Sequence, residues 1–261
     1  MEFRYVRGLA EPGVARTVAY DIGGVLPGTH LAVPSPALTL IVDLGDGLDL
    51  TGPGLDGRTS FRVCISGMHH APYLVHHEGL QRGVQVDLPP SLVRALTGAP
   101  AAELGGEAIE LTDLHPELAA ELAGRVGAAA PADRARVAAG VLARHASTAR
   151  QVQPDAAAAW AHLARHRGAV TVADLTQRSG WSARYLAMKF SAEFGMSIKA
   201  AARLMRFDAA RRDLEAGGRP AEIAARRGFS DQAHLSREVR DFLGMTPSAY
   251  LALREGEFAA V

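Results

Sequence analysis

The chain is poor in cysteine and lacks the long apolar runs that mark membrane proteins. Its 261 residues include a single cysteine, Cys64. One thiol can form no internal disulfide and cannot build a zinc site that needs two or four cysteines, so a reducing cytoplasm is expected. No apolar stretch approaches the roughly 18 residues of a membrane span, and no basic segment precedes an apolar one as in a signal peptide. We expect neither feature.

Signatures of common enzymes are missing as well. The sequence has no Gly-x-Ser-x-Gly motif, no phosphate-binding loop and no dinucleotide fingerprint, and glycine-rich pieces such as Gly45-Asp46-Gly47 lack the helix that must follow them. A DNA-repair methyltransferase is excluded as well, because it would need a cluster of cysteines and this chain has one. We therefore expect no catalytic residue and no cofactor.

The composition is that of a globular protein with an uneven charge distribution. Hydrophobic residues make up 48% and charged residues 21%, and the length allows two domains with their own cores. The formal net charge is zero, yet residues 1–153 carry 12 Arg against 16 acidic residues, whereas residues 154–261 carry 16 Lys and Arg against 12 acidic residues. A positive second half suits nucleic acid, because only the docking face must be positive.

The first half predicts short strands and the second half predicts helices, an α+β chain. Apolar or alternating runs typical of strands cover 38–44, 61–66 and 83–88, with turn signals at Pro27-Gly28, Gly52-Pro53-Gly54 and Asp56-Gly57. This spacing favours a small antiparallel barrel or sandwich. Helices are expected over 91–96, 114–124, 132–146 and 155–167. The predicted domains are a β-rich barrel or cupin-like domain over 1–112, a helical connector and linker over 113–153, with the linker itself at 147–154, and an all-α domain over 154–261.

One pattern occurs twice between Leu175 and Tyr250. Gly-Trp-Ser at 180–182 returns as Gly-Phe-Ser at 228–230, an offset of 48, and from Leu186 and Leu235 onward the offset is 49. One residue was therefore gained at the start of the later helix. Each copy has the form of a helix-turn-helix, and two such units can place two helices in successive major grooves about 34 Å apart.

In the first unit, Thr171 and Asp174 predict a capping box, Gly180 a turn with positive φ, and Ser182 the cap of a recognition helix over 183–194. Leu186, Phe190 and Phe194 would face the core, and Trp160 and Leu163 on the preceding helix should pack against this unit. The predicted DNA-contacting residues are Ser182, Arg184, Ala187, Met188 and Lys189. Among them, Arg184 suits a guanine and Lys189 a phosphate.

In the second unit, Pro220 opens the first helix and Ser230 or Asp231 caps a recognition helix ending at Leu243. The predicted DNA-contacting residues are Ser230, Gln232, Ala233, Ser236 and Arg237. Gln232 suits an adenine and Arg237 a guanine or a phosphate. A solvated or salt-bridged role for Arg184 and Arg237 stays open. A long helix over 198–215 would fix the distance and angle between the two units.

These residues resemble the AraC/XylS family of bacterial transcription regulators over about 155–254, most specifically in the run from Pro220-Ala221-Glu222-Ile223 through Gly228-Phe229-Ser230 to Met245-Thr246-Pro247. The resemblance implies a double helix-turn-helix domain behind an effector or dimerisation domain, and more often an activator than a repressor. It implies double-stranded DNA, RNA polymerase, a small-molecule effector and a second copy of the chain as partners. Two positions depart from the family pattern: Val239 stands where phenylalanine is usual, and Met188 where arginine or another polar residue is frequent.

The N-terminal half resembles the β-rich sensor domains of actinobacterial regulators in its segment 83–89, and this likeness implies no particular ligand. A histidine group nearby, His69, His70, His76 and His77 with Glu78, raises a metal site as one alternative. Neighbouring residues of a strand point to opposite faces, so each pair offers one ligand per face, and histidines lining an effector pocket are favoured. An N-terminal half that is a small-molecule enzyme or metal-binding module, or that only dimerises, stays open. Cys64 is expected to be a core residue.

Overall fold

The computed structural model describes residues 2–7, 16–55, 59–147 and 154–259. The turn expected at Asp56-Gly57 and residues 148–153 of the expected linker lie outside these ranges. Below, the N-terminal region denotes the described residues up to 147 and the C-terminal region those from 154 onward. No helix in these ranges combines the length and the apolar character needed to cross a membrane.

The N-terminal region contains two antiparallel sheets. The larger sheet has the strand order β1-β2-β9-β4-β7-β10 and the smaller has β3-β8-β5-β6. The strands are β1 (Glu2–Arg7), β2 (Arg16–Gly23), β3 (Gly28–Ala32), β4 (Leu38–Asp43), β5 (Leu48–Thr51), β6 (Ser60–Phe61), β7 (Val63–Ser66), β8 (Tyr73–His77), β9 (Leu80–Leu88) and β10 (Ala108–Glu110).

The strand predicted over 61–66 is interrupted at Arg62 and divided between the two sheets. The Glu110 carboxylate accepts hydrogen bonds from the backbone N–H groups of Arg62 and Val63, each at 2.8 Å. A side chain from a distant strand thus satisfies the two donors at the break, which the local alternation of residues could not indicate.

The larger sheet lies between a helical layer and a cavity, because successive side chains of its strands point to opposite faces. On β4, Leu38, Leu40 and Val42 are fully buried against helices, whereas Thr39 and Ile41 line a space between the two sheets. Val84, Val86 and Leu88 on β9 continue the helix-facing side. The period of two residues therefore builds a core on one face and leaves the other face toward a cavity.

Four helices cover the first of these faces: α1 (Pro90–Thr97), α2 (Leu111–Leu114), α3 (Pro116–Ala128) and α4 (Arg134–Ser147). The single helix predicted over 114–124 was wrong, since the chain breaks at His115. His115 has φ −147° and ψ 80°, because a residue before proline is disfavoured in the helical region, and its ring accepts the Leu118 N–H to cap α3. The helix predicted from 132 begins instead as a 3-10 turn, Pro131–Asp133.

The C-terminal region consists of seven helices: α5 (Pro154–Arg165), α6 (Val172–Ser179), α7 (Ala183–Phe194), α8 (Ile198–Glu215), α9 (Pro220–Arg227), α10 (Gln232–Leu243) and α11 (Pro247–Ala259). The α6–α7 pair has 8 and 12 residues, and so does the α9–α10 pair. The starts of α6 and α9 differ by 48 positions, and those of α7 and α10 by 49. The duplicated pattern and its one-residue gain are confirmed.

Candidate nucleic-acid interface and adjoining cavity

The two turns have nearly the same backbone geometry. Gly180 ends α6 at φ 71° and Gly228 ends α9 at φ 76°, both left-handed conformations that favour glycine. The predicted capping box is present, since the Thr171 hydroxyl accepts the Asp174 N–H at 3.1 Å and the Asp174 carboxylate accepts the Thr171 N–H at 2.9 Å. Local sequence therefore sets the angle at which each recognition helix leaves its turn.

The first recognition helix, α7, is anchored by aromatic packing. Its Leu186, Phe190 and Phe194 are buried as predicted. Trp160 of α5 stacks on Phe190 with ring centroids 5.8 Å apart and lies 4.6 Å from the Phe194 ring, which confirms the expected packing of α5 on this unit. Ser182 caps the helix by accepting the Tyr185 N–H.

The second recognition helix, α10, is capped by Asp231 and not by Ser230. The Asp231 carboxylate accepts the His234 N–H at 2.6 Å, and the Ser230 hydroxyl bonds instead to the side chains of Asp231 and His234. The extra residue of the second unit is thus absorbed at the cap, so the helix behind it keeps the spacing of the first.

The ten predicted contact residues lie on the outer faces of α7 and α10 or at their caps. Eight are exposed, and Lys189 and Ser236 are half-buried. Lys189 places its ammonium 5.4 Å from the centre of the Tyr185 ring. Among the described residues, Arg184 and Arg237 form no ion pair within 4 Å, and both side chains are exposed, although the charge of Arg237 contributes to lowering the pKa of the capping Asp231.

The long helix α8 joins the two units. It is buried on several sides, as a central helix should be, by residues such as Ile198, Met205 and Phe207. Ion pairs tie it to the second unit. Arg203 contacts Glu238 at 2.7 Å and Asp241 at 2.5 Å on α10.

Further ion pairs join α8 to α9. Asp213 accepts two hydrogen bonds from the Arg227 guanidinium, at 2.6 and 2.8 Å, and one from Arg226 at 3.0 Å. The bonds from Arg227 and then Arg226 hold the pKa of Asp213 below its usual value despite partial burial. Both helices of the second unit are thereby fixed to the connector, which restrains their position relative to the first.

Comparison with known proteins agrees with this geometry. Residues 175–252 match the family model described as a helix-turn-helix domain. This region is an AraC-type helix-turn-helix domain. An uncharacterized HTH-type transcriptional regulator of Bacillus subtilis, YbfI, is 36% identical to it over 66 residues, which cover 25% of this chain and 24% of that relative.

The fold of nearly the whole chain is similar to that of one solved protein. ToxT from Vibrio cholerae aligns over 93% of this chain and 98% of its own with a TM-score of 0.51 and 12% identity. An apo form of ToxT gives a TM-score of 0.53 at 14% identity, with 91% of this chain and 97% of ToxT aligned. A form with a bound unsaturated fatty acid gives a TM-score of 0.50 at 13% identity, with 91% of this chain and 94% of ToxT aligned. At this identity the likeness is one of fold, a β-rich domain followed by a helix-turn-helix domain.

A cavity of about 1390 Å³ lies between the two sheets and reaches the AraC-type domain. Its apolar wall includes Ile41, Leu50 and Val75 of the sheets. Residues of α8 and α11 line its other side, among them Arg211, Arg212, Glu215, Tyr250 and Arg254. The cavity therefore borders α8, the helix that joins the two helix-turn-helix units.

The polar end of this cavity is a linked group on α8 and α11. Arg211 contacts Asp208 at 2.7 Å and Glu215 at 2.6 Å, and the Tyr250 hydroxyl donates to Glu215. Burial and the bond to Glu215 raise the pKa of Tyr250 to about 12. Burial would raise the pKa of Glu215, but Arg211 and Tyr250 offset it and hold that pKa below its usual value. Glu215 is thus anionic at neutral pH.

The adjacent histidines His76 and His77 of β8 point to opposite faces of their sheet. His77 lines the cavity, whereas the ring of the adjacent His76 bonds to the Thr51 hydroxyl at 2.8 Å, as the alternation of faces predicted. His69 also lines the cavity, and its ring bonds to the Ala71 carbonyl at 2.6 Å. No group of three potential metal ligands occurs among the residues described. Cys64 is buried, and burial raises the pKa of its thiol to about 12.

A third histidine of the cavity wall, His30, lies outside the group that the sequence indicated. Its ring lies 6.1 Å from that of His77 on the cavity wall. Burial, then His77 and Arg254, lower its pKa to about 4. His30 is therefore neutral at physiological pH and presents an uncharged wall.

We expect the stability of the protein to fall in mild acid because of His30. Between pH 7 and pH 5 the unfolded chain gains a proton near pH 6.5 that folded His30 accepts only near pH 4. The contribution of neutral His30 to the free energy of unfolding is fully present above pH 6.5 and is lost as the pH falls toward 4. By pH 5 the loss amounts to about 1–2 kcal/mol. Urea unfolding of the protein and of His30→Gln at both pH values measures it. Equal pH dependence of the two proteins would contradict the assignment.

The N-terminal region contacts the first recognition helix directly. Arg94 of α1 donates to both carboxylate oxygens of Glu193 on α7 at 2.8–3.2 Å, and Glu193 is only 2% exposed. At the end of α7, a Cβ added to Gly195 would come within 3.0 Å of the Ala102 Cα. Sequence reasoning missed this contact, although Glu193 falls on the buried stripe beside Phe194, where an acidic residue needs a partner.

Proposed function

We propose that the chain is a cytoplasmic transcription regulator whose two recognition helices, α7 and α10, enter successive major grooves of double-stranded DNA. The observation that carries this proposal is the repeated geometry of the two units around α8, with Arg184 and Arg237 on the exposed faces of the helices. A helix with an exposed arginine near its N-terminal half suits base readout. The resemblance to regulators that most often activate supports activation of transcription through RNA polymerase.

Arg184→Ala and Arg237→Ala are each expected to weaken specific DNA binding by about 1–3 kcal/mol, because each would lose a bidentate contact to a base. Duplexes selected from a random pool by the full chain provide the binding site, and titration of each variant measures the loss. Arg136→Ala serves as a control, since Arg136 is an exposed arginine of the N-terminal region that pairs with Asp133 at 2.8 Å. Unchanged affinity in both test variants would remove these residues from the interface.

We further propose that a small molecule in the cavity modulates DNA binding. The cavity touches α8, whose ion pairs hold the second unit, so an occupant can change the position of one reader relative to the other. One structure of the same fold, that of ToxT, holds an unsaturated fatty acid, which supports a small-molecule role for the fold. A thermal-shift screen of small molecules against the full chain tests the proposal, and Ala32→Phe, which fills space at the cavity wall, should remove any shift. Dimerisation through the N-terminal region is a separate proposal that sedimentation would test.

A further inference from the structure

The central outward position differs between the two recognition helices. On α10 it is Arg237, two residues from both Leu235 and Val239 of the core. On α7 it is Met188, two residues from both Leu186 and Phe190. At 3.6 residues per turn, two residues place a side chain about 200° from each core position, so both point away from the protein. The equivalent positions thus offer a guanidinium in one unit and a thioether in the other.

Met188 is exposed to an extent that the fold does not require. Its side chain is 55% exposed, although most methionines are buried. Trp181, 40% exposed, lies near it in sequence and stacks on Tyr185 with ring centroids 4.3 Å apart. The outer surface of the first unit is therefore more apolar than that of the second.

Positive charge frames this apolar surface. Arg184 lies one helical turn before Met188, and Lys189 follows it above the Tyr185 ring. An apolar centre between cations matches a major groove, where thymine methyl groups project between two phosphate chains. A protein partner would meet the same methionine but would gain nothing from the flanking cations unless it were itself acidic.

We propose that Met188 of the first unit recognises a thymine through contact with its C5-methyl group, in addition to the base contact proposed for Arg184, whereas Arg237 at the equivalent position of the second unit recognises its base through hydrogen bonds. A thioether cannot donate a hydrogen bond and reads no base edge in that way, but it is polarizable and adapts its shape to a methyl group. The inference rests on the proposed DNA binding and assigns the type of base that each unit selects.

Replacing thymine by deoxyuridine tests this directly, because it removes the methyl group and keeps every hydrogen-bonding atom. Each thymine of a duplex selected by the full chain is replaced in turn, and the dissociation constant is measured for the wild type, Met188→Ala and Arg237→Ala. We expect at least one replacement to weaken wild-type binding about four-fold, the ratio for one buried methyl group at ~0.8 kcal/mol. That replacement should have no effect on Met188→Ala and keep its effect on Arg237→Ala.

Two further variants sharpen the result. Met188→Arg recreates the chemistry of the second unit, so a new selection should replace thymine by guanine at that position. Leu80→Ala is the matched control, since Leu80 is 51% exposed in the N-terminal region and should leave the methyl effect unchanged. Folding is not at risk in the Met188 variants, because the side chain is outward and alanine and arginine favour helix.

The outcomes separate this inference from the proposed function. If duplexes are selected but no methyl effect depends on Met188, the inference is wrong and DNA binding stands. Loss of affinity in Met188→Ala that is equal on thymine and deoxyuridine duplexes would also overturn it. Failure to select any duplex would overturn the proposed function and this inference with it.

Discussion

Arg94→Ala is expected to lower the free energy of unfolding by about 3–5 kcal/mol, because it leaves the Glu193 carboxylate buried without its counterion. Three hydrogen bonds at 2.8–3.2 Å join the two side chains, and Glu193 lies at 2% exposure between α7 and the N-terminal region. Urea unfolding of the full chain measures the loss. Since Glu193 lies on α7, the first recognition helix, the affinity for DNA should fall together with the stability.

The pair of Arg136 and Asp133 provides the matched control. It has a similar distance of 2.8 Å, but its side chains are 69% and 51% exposed. Solvent screens such pairs, so Arg136→Ala should cost less than about 1 kcal/mol. The double change Arg94→Leu with Glu193→Leu should recover much of the stability lost in Arg94→Ala, because it removes the buried charge. Equal and small losses for Arg94→Ala and Arg136→Ala would show that the buried pair does not join the regions.

DNA affinity is expected to fall about a thousand-fold when the salt concentration rises from about 50 mM to about 200 mM, which corresponds to roughly six phosphate contacts. The C-terminal half supplies 16 Lys and Arg against 12 acidic residues, and many of these arginines are occupied by ion pairs such as those at Asp208 and Asp213. The remaining cations must release the counterions of the duplex. Fluorescence anisotropy across a salt series gives the slope of log affinity against log salt.

Two adjacent residues of α7 provide the test and its control. Lys189→Ala should reduce the magnitude of the slope by about 0.9, the value for one lost phosphate contact. Met188→Ala removes no charge, so it should weaken binding and leave the slope unchanged. If both variants keep the wild-type slope, Lys189 does not contact phosphate; an affinity that is insensitive to salt would contradict binding to the duplex backbone altogether.

The local elements of the C-terminal region could be predicted because their causes lie within a few residues. The capping box at Thr171 and Asp174, the left-handed glycine at Gly180 and the spacing of Leu186, Phe190 and Phe194 set the bounds of α6 and α7. The errors occurred where a local preference competed with another contact. Pro116 forced a break at His115, and Glu110 from a distant strand stabilised the interruption at Arg62.

The two helix-turn-helix units and their outward residues could be recognised from the order of amino acids, since helical periodicity and turn chemistry are properties of short segments. The surroundings of these units depend on how distant segments of the chain pack. Arg94 and Glu193 are 99 positions apart, and the cavity joins strands of the N-terminal region to Glu215 and Tyr250. Contacts of this range depend on how sheets and helices pack, and no pattern within one segment records which distant side chain will complete a buried charge or close a cavity.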